Sequence, residues 1–282
     1  MADPAWVALS LVRHLGGRTF QGLLSHFNGD LTAILDASVP ELQRVPGIGP
    51  KIAHAITQIN VDAVQHALRR WEESGVRVLT QDDAAYPRLL RAIDDAPPTL
   101  FALGTLPAAE RPAYAVIGSR TPSAPARKLA SRLGAALAER GCVVVSGLAA
   151  GIDAAAHLGA LSLPEGVTVA ALGSGILNPY PPENRGLARA VTARGALLCE
   201  VAPDAPVSAP GLVARNRIIS GLCDGVIVVE TGSEGGAMHA ARFARAQGRP
   251  VYAVDCAASG NRALLADGAQ PIGDDLRALL LD

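Results

Sequence analysis

From residue 113 onward, apolar runs of four to six residues alternate with longer stretches whose apolar positions recur at helical spacing. The runs at 114–117, 142–145, 167–172, 196–201, 226–229 and 251–254 are continuous and bounded by Gly, which predicts strands buried on both faces of a parallel sheet. Helices are expected between them at 124–140, 152–161, 183–193, 212–222 and 234–247. Five strand–helix units and a closing strand predict an α/β fold, a Rossmann-type doubly wound parallel sheet with right-handed crossovers. Before this block the pattern is different. Trp6, Leu9, Val12 and Leu15 fall on one helical face, which Gly16-Gly17 should end, and short helical runs follow at 20–27 and 31–37. Pro46-Gly47-Ile48-Gly49 is a turn between two further short helices, a helix-hairpin-helix-like (or sterile-alpha-motif-like) arrangement. The Gly47 and Gly49 amides and Lys51 are candidate phosphate contacts there; a hairpin that merely packs stays open as the alternative. The expected division is an all-α unit over 1–75, a connector over 76–112 with an extended piece at 76–80, and the Rossmann-like unit over 113–282.

Ligands bind open parallel sheets outside the carboxyl ends of the strands. The segments at those ends are Gly118-Ser119-Arg120, Ser146-Gly147 with Gly151 and Asp153, Gly173-Ser174-Gly175 leading to Tyr180 and Asn184, Arg215-Asn216-Arg217, and Thr231-Gly232-Ser233-Glu234-Gly235-Gly236. Small residues let backbone N–H groups approach an anion, and arginines supply fixed charge. Arg215 and Arg217, two apart on a helix, cannot face the same way, so one is expected to meet ligand and the other a structural carboxylate. Glu200 and Glu230 are expected to position arginines. Asp153 and His157 have metal-compatible spacing without a third ligand; a helix cap or local hydrogen bond is the plainer reading.

Charge sharpens this picture. The formal net charge is -1, but residues 111–221 carry eleven Lys and Arg against six acids, and ten of the eleven are Arg. Arg suits bidentate phosphate contact. Residues 1–77 are balanced, so the hairpin has no charge excess to help it hold DNA. The chemistry excluded is as informative. A GxGxxG run is missing after the first strand, and with only Lys51 and Lys128 there is no GxxxxGK[ST] phosphate loop. No nucleophile triad or metal set is evident, so neither catalytic residues, nor a cofactor, nor a metal is expected. Cys142, Cys199, Cys223 and Cys256 are dispersed, and apolar runs stay far below the roughly 20 residues of a membrane helix. With no signal-peptide pattern at the start, the expected setting is the cytoplasm, away from membranes.

The motifs Gly118-Ser-Arg120, the run from Ser146 through Gly147, Gly151 and Asp153 to His157, Tyr180-Pro-Pro-Glu-Asn184, the run from Arg215 to Leu222, and the run from Ser259 to Ala269 follow one another as in the DprA/Smf family of DNA-processing proteins. The chain resembles that family over about residues 8–272, the N-terminal hairpin included. The resemblance implies a non-catalytic, homodimeric binder of single-stranded DNA that protects incoming strands during natural transformation and loads the RecA recombinase. It makes Arg120 the chief phosphate ligand, with Ser146, Gly147, Gly173, Ser174, Asn216 and Arg217 lining the pocket and Tyr180 beside it. The chain departs from the pattern in three places. Ala150 stands where many relatives have Lys or Arg, Glu234 interrupts a Ser/Gly run, and the winged-helix domain that many relatives carry after the Rossmann unit is not expected within these 282 residues.

Aromatics make up only 4% of the chain, so binding should rest on phosphate contacts rather than stacking. Three or four engaged cations per protomer would give a slope of log K against log salt near about -2 to -3. The dimer face is expected on the last strands and the apolar tail, with Leu276 and Leu280 as its core. Two rival readings stay open: a nucleotide phosphoribohydrolase, which would need a Glu that the Gly235-Gly236 segment does not supply and would use His239 or Glu234, and a nucleotide-binding regulatory module.

Overall fold

The computed structural model describes residues 2–273 together with Leu276 and Leu279. Six short helices open the chain: α1 (Pro4–Ser10), α2 (Gly17–His26), α3 (Leu31–Asp36), α4 (Val39–Leu42), α5 (Pro50–Thr57) and α6 (Val61–Glu73). Asp3, Asp30 and Asn60 cap α1, α3 and α6 by accepting backbone N–H bonds. The glycine pair does not end a long first helix. That helix stops at Ser10, and Gly17 starts α2, where a Cβ would collide with the Ala96 carbonyl. Gly47 takes φ +88 in the turn between α4 and α5, and Gly49 is the N-cap of α5. The hairpin therefore forms as the spacing predicts.

The helical unit has its own core around Phe20, Leu23, Ile34 and Ile56. It is also tied to the rest of the chain. The Trp6 indole donates to the Pro98 carbonyl at 3.0 Å, and Trp71 stands edge-on to Phe101 at 5.4 Å between centroids.

The segment from 76 to 112 contributes β1 (Arg77–Thr80), α7 (Arg88–Arg91) and β2 (Thr99–Gly104). Both strands are antiparallel additions to the sheet, β1 on β2 and β2 on β6. The Rossmann-like block follows as β3 (Ala113–Ile117), α8 (Ala124–Glu139), β4 (Val143–Ser146), α9 (Ile152–Leu161), β5 (Thr168–Ala171), α10 (Arg185–Arg194), β6 (Ala196–Cys199), α11 (Ala209–Ala214), α12 (Asn216–Gly221), β7 (Gly225–Val228), α13 (Gly236–Ala246), β8 (Val251–Ala253), α14 (Ser259–Ala266) and β9 (Gln270–Pro271). The predicted helix over 212–222 is two short helices, broken at Arg215.

The sheet order is β1-β2-β6-β5-β4-β3-β7-β8-β9, and β3 to β9 pair in parallel. Alternation along β4 shows why the strands read as unbroken apolar runs. Val143 and Val145 face one core with α12 and α13, whereas Val144 faces the other with α8 and α9. The chain winds outward from β3 through β4, β5 and β6, then returns to β7 beside β3. The boundary between β3 and β7 is thus the topological switch point, where adjacent loops diverge and leave a crevice.

The tail assignment is corrected at one position. Leu276 is fully buried in its own chain's core with Tyr252 and Ile272, so it is not a free dimer-face residue. Leu280 lies outside the described residues. Among the described residues no helix is long and apolar enough to cross a membrane.

Candidate functional site

A cleft of roughly 490 Å3 opens at the β3/β7 switch point. Gly118, Ser119 and Arg120 form one wall, and Thr231, Gly232, Gly235 and Gly236 form the other. Leu212, Val213 and Asn216 close its third side, with Asp153 and Arg215 at the floor. Arg120 is exposed, and its side chain has no hydrogen-bond or ion-pair partner among the described residues. A smaller annex of about 90 Å3 joins Arg120 to Gly147, Ala150, Tyr180 and Glu183.

Both arginines beyond Arg120 have carboxylate partners within the chain. Arg215 is buried. It donates to the Gly147 and Ala171 carbonyls, the latter at 3.0 Å, and pairs with Asp153 at 3.8 Å. Asp153 in turn accepts from the Gly147 and Ala149 amides at 3.1 and 3.4 Å. Burial pushes the Asp153 carboxyl up against the pull of Arg215, and burial pushes Arg215 down, with the Arg120 charge adding to that fall. Arg217 is a brace: it is nine-tenths buried, bonded to Glu200 and 3.3 Å from Asp95. Glu200 therefore positions an arginine as expected. Glu230 does not; it accepts from the Ser123 amide and hydroxyl at 2.8 and 2.6 Å and fixes the start of α8.

At most of the loop glycines the space a Cβ would take is filled by a neighbouring loop or side chain. A Cβ on Gly118 would sit 2.7 Å from Ile152, and one on Gly173 would sit 2.7 Å from the Leu212 backbone. A Cβ on Gly147 would fall on the Arg215 guanidinium, one on Gly175 on the Pro203 carbonyl, and one on Gly151 on the Ser119 carbonyl. Ser146 and Ser174 are buried and donate to Val116 and Asn178 carbonyls at 2.7 and 3.0 Å, so neither hydroxyl faces the cleft. Asn184 donates to the Leu148 carbonyl at 2.8 Å. Ser233 is exposed but does not line the cleft, and Glu234 likewise stays outside it.

Open backbone is found at Gly232 and Gly236 instead, where a Cβ would meet nothing within 4 Å. The loop carrying them is set by Asn261, a buried side chain whose Oδ1 accepts from the Thr231 amide at 2.8 Å while its amide donates to Val229 and Val254 at 3.0 and 2.9 Å. Asn261 belongs to the motif at 259–269, whose residues gave no sign of a role in sequence. Gly47, Gly49 and Lys51 lie on the helical unit and do not line this cleft.

Asp153 and His157 do not bond each other. His157 is fully buried, with Nδ1 2.7 Å from the Thr168 hydroxyl and Nε2 without a partner. Burial, aided by the Arg215 charge, lowers its pKa to about 3. Among the described residues no group of three or more His, Cys, Asp or Glu could hold a metal. A stability prediction follows from His157. Its unfolded value is about 6.5, so between pH 6.5 and 3 the unfolded chain binds a proton that the folded one does not. Stability is complete above pH 6.5 and falls with acid. At about 1.4 kcal/mol per unit, roughly 2 kcal/mol should be lost by pH 5 through this group. Urea unfolding at pH 7.5 and 5 reads the loss, and His157→Gln should flatten it; an unchanged slope in the variant assigns the acid sensitivity elsewhere.

Residues 77–280 match the family model described as DNA recombination-mediator protein A. Residues 5–66 match a helix-hairpin-helix motif model. Protein Smf of Synechocystis sp. is 35% identical over 255 residues, covering 88% of this chain and 63% of that protein. DNA processing protein DprA of Bacillus subtilis is 34% identical over 211 residues, covering 73% and 71%. Among solved structures, DNA processing protein A of Streptococcus pneumoniae superposes with a TM-score of 0.84 at 28% identity, covering 100% of this chain and 98% of that one. A structure of the Helicobacter pylori protein, solved for its single-stranded DNA binding mode, gives a TM-score of 0.66 at 26% identity, covering 73% and 95%. The chain thus spans somewhat under two thirds of the length of the Synechocystis relative.

Proposed function

Because the chain belongs to the DNA recombination-mediator protein A (DprA/Smf) family, we propose that it binds single-stranded DNA at the β3/β7 cleft, as a cytoplasmic homodimer that shields the strand and passes it to the RecA recombinase. The observation that carries the reading is Arg120, an exposed cation without a protein partner among the described residues, at the mouth of a cleft whose floor is the Arg215–Asp153 pair. The Arg215 charge beneath it is matched by Asp153, but Arg120 has no carboxylate of its own among the described residues and presses on Arg215. A phosphate beside Arg120 relieves that repulsion. The open backbone at Gly232 and Gly236 and the uncapped start of α13 add N–H donors to the same wall. Leu212 and Val213 give a base or sugar an apolar surface.

Counting only cations free to move onto a strand alters the salt dependence. With Arg215 and Arg217 held by Asp153, Glu200 and Asp95, one or two phosphates per protomer are neutralised rather than three or four. The slope of log K against log salt should then be about -0.7 to -1.4 per protomer. A slope near -3 from an anisotropy titration across salt would return Arg215 or Arg217 to the ligand set. Ala150 lines the annex beside Arg120, so Ala150→Lys should add one contact, tighten binding at low salt and steepen the slope by about 0.7. An unchanged slope would place the strand away from the annex.

Transfer to RecA is tested by following RecA filament assembly on single strands precoated with a single-strand-binding protein, with and without this chain. Faster assembly supports the reading, and an unchanged rate removes the loading role while leaving DNA binding intact. The hydrolase rival would need a carboxylate free to act in the cleft. Asp153, which lines it, is committed to two backbone amides and Arg215, and His239 Nδ1 is 2.9 Å from the Arg242 guanidinium. Release of adenine from AMP would nonetheless revive it.

A further inference from the structure

The opposite end of the sheet holds a second, chemically different site. Below the amino ends of β3, β4 and β5 lies a cavity of about 300 Å3. Its floor is the sheet itself, through Val143, Val145, Val169 and Leu198, each at most 3% exposed. Three arginines, Arg77, Arg88 and Arg111, line its mouth. Arg77 and Arg88 are exposed and their side chains have no partner among the described residues, and Arg111 spends only its Nε, on the Gly141 carbonyl at 2.9 Å. At Arg88 and Arg111 the cavity continues into an open trench of about 620 Å3 that runs past Tyr114 and Tyr252. The trench carboxylates are Glu110, which is exposed, and Asp224, which is already taken by the Ala113 amide at 2.9 Å.

We propose that this groove binds the C-terminus of a partner protein whose final residue is bulky and apolar: the side chain enters the cavity, the terminal carboxylate meets Arg88 and Arg111, and the preceding residues lie in the trench. The cavity is at the small end of the range for ligand pockets, roughly 300–1,000 Å3, so it takes one or two side chains rather than a nucleotide. Its apolar floor offers a phosphodiester nothing. Paired with unneutralised arginines at the mouth, it calls for a negative charge joined directly to an apolar group, and a chain terminus carries both on one residue. The four- or five-residue strands put this groove about 13–17 Å from the β3/β7 cleft, so the two can be occupied together.

The test is fluorescence anisotropy with the labelled peptide Ser-Gly-Ser-Gly-Leu-Phe, as free acid and as C-terminal amide, titrated with the full chain. The free acid should bind and the amide should bind at least tenfold more weakly. Arg88→Glu, on an exposed side chain without an internal partner, should cost at least tenfold, and Ala108→Trp, in the exposed loop over the cavity, should block binding. Thermal unfolding of both variants by circular dichroism checks that they fold. Equal binding of acid and amide, no binding of either, or indifference to Arg88→Glu overturns the proposal. So does saturable binding of decanoate without binding of the peptide, which would make the groove a site for a small amphipathic acid.

Discussion

Arg215→Ala is expected to destabilise the fold by about 3–5 kcal/mol, because it leaves the buried Asp153 carboxylate without its cation. The guanidinium also ties together the carboxyl ends of β4 and β5 by donating hydrogen bonds to the Gly147 and Ala171 carbonyls, which its removal would leave without that donor. Asp153→Ala should cost a similar amount for the mirror reason. The double variant should lose less than the two single losses together, by 1 kcal/mol or more, since removing both charges leaves no unpaired one behind. Urea unfolding of the four proteins measures all of this. Strict additivity would show that the pair does not hold the floor of the cleft.

The second large effect is on binding. Arg120→Glu is expected to weaken the single strand at least a hundredfold, about 2.7 kcal/mol. Two changes add: the contact to phosphate is lost, and a carboxylate now faces the backbone it used to attract. The fold should be untouched, because Arg120 is exposed and no group among the described residues relies on it. This separates it from Arg215, whose removal would lower affinity and stability together. Arg217 offers a third behaviour. Its partners Glu200 and Asp95 join α12 to the segment that docks the helical unit, so its loss should register in stability first.

These contrasts mark where the sequence was legible. The parallel strands were readable because both faces of each are buried, which leaves unbroken runs such as Val143 to Val145. β2 was hidden by its own flank: the Ala96-Pro-Pro-Thr99 cluster reads as a boundary, yet Thr99 begins an edge-side antiparallel strand. β9 is two residues long, too short for any period. At the site, the loops that meet were identifiable from strand ends alone, and Arg120 is where that reasoning puts it. The roles of individual residues were not. Glycine that admits a ligand and glycine that admits another loop look identical in sequence, and only the fold shows that the Cβ positions of Gly232 and Gly236 are open while those of Gly118, Gly147 and Gly173 are filled. The same holds for Arg215 and Arg120: both are arginines at strand ends, and only the fold shows that one has a carboxylate within reach and the other has none among the described residues. Asn261 was invisible as a brace because its partners at and just beyond the end of β7, Val228, Val229 and Thr231, are 30 or more residues away.

The central claim is that the switch-point cleft is a single-strand site with Arg120 as its free cation. A fluorescent oligo-dT of about 35 nucleotides, titrated with the unaltered protein and with Arg120→Glu at two salt concentrations, and challenged with unlabelled duplex, tests it most directly. The account predicts preferential binding of the single strand, weakening with salt on a shallow slope, and near-complete loss in the variant while its unfolding curve is unchanged. Binding that survives Arg120→Glu, or that prefers the duplex, would contradict it and move the DNA surface off the carboxyl edge of the sheet.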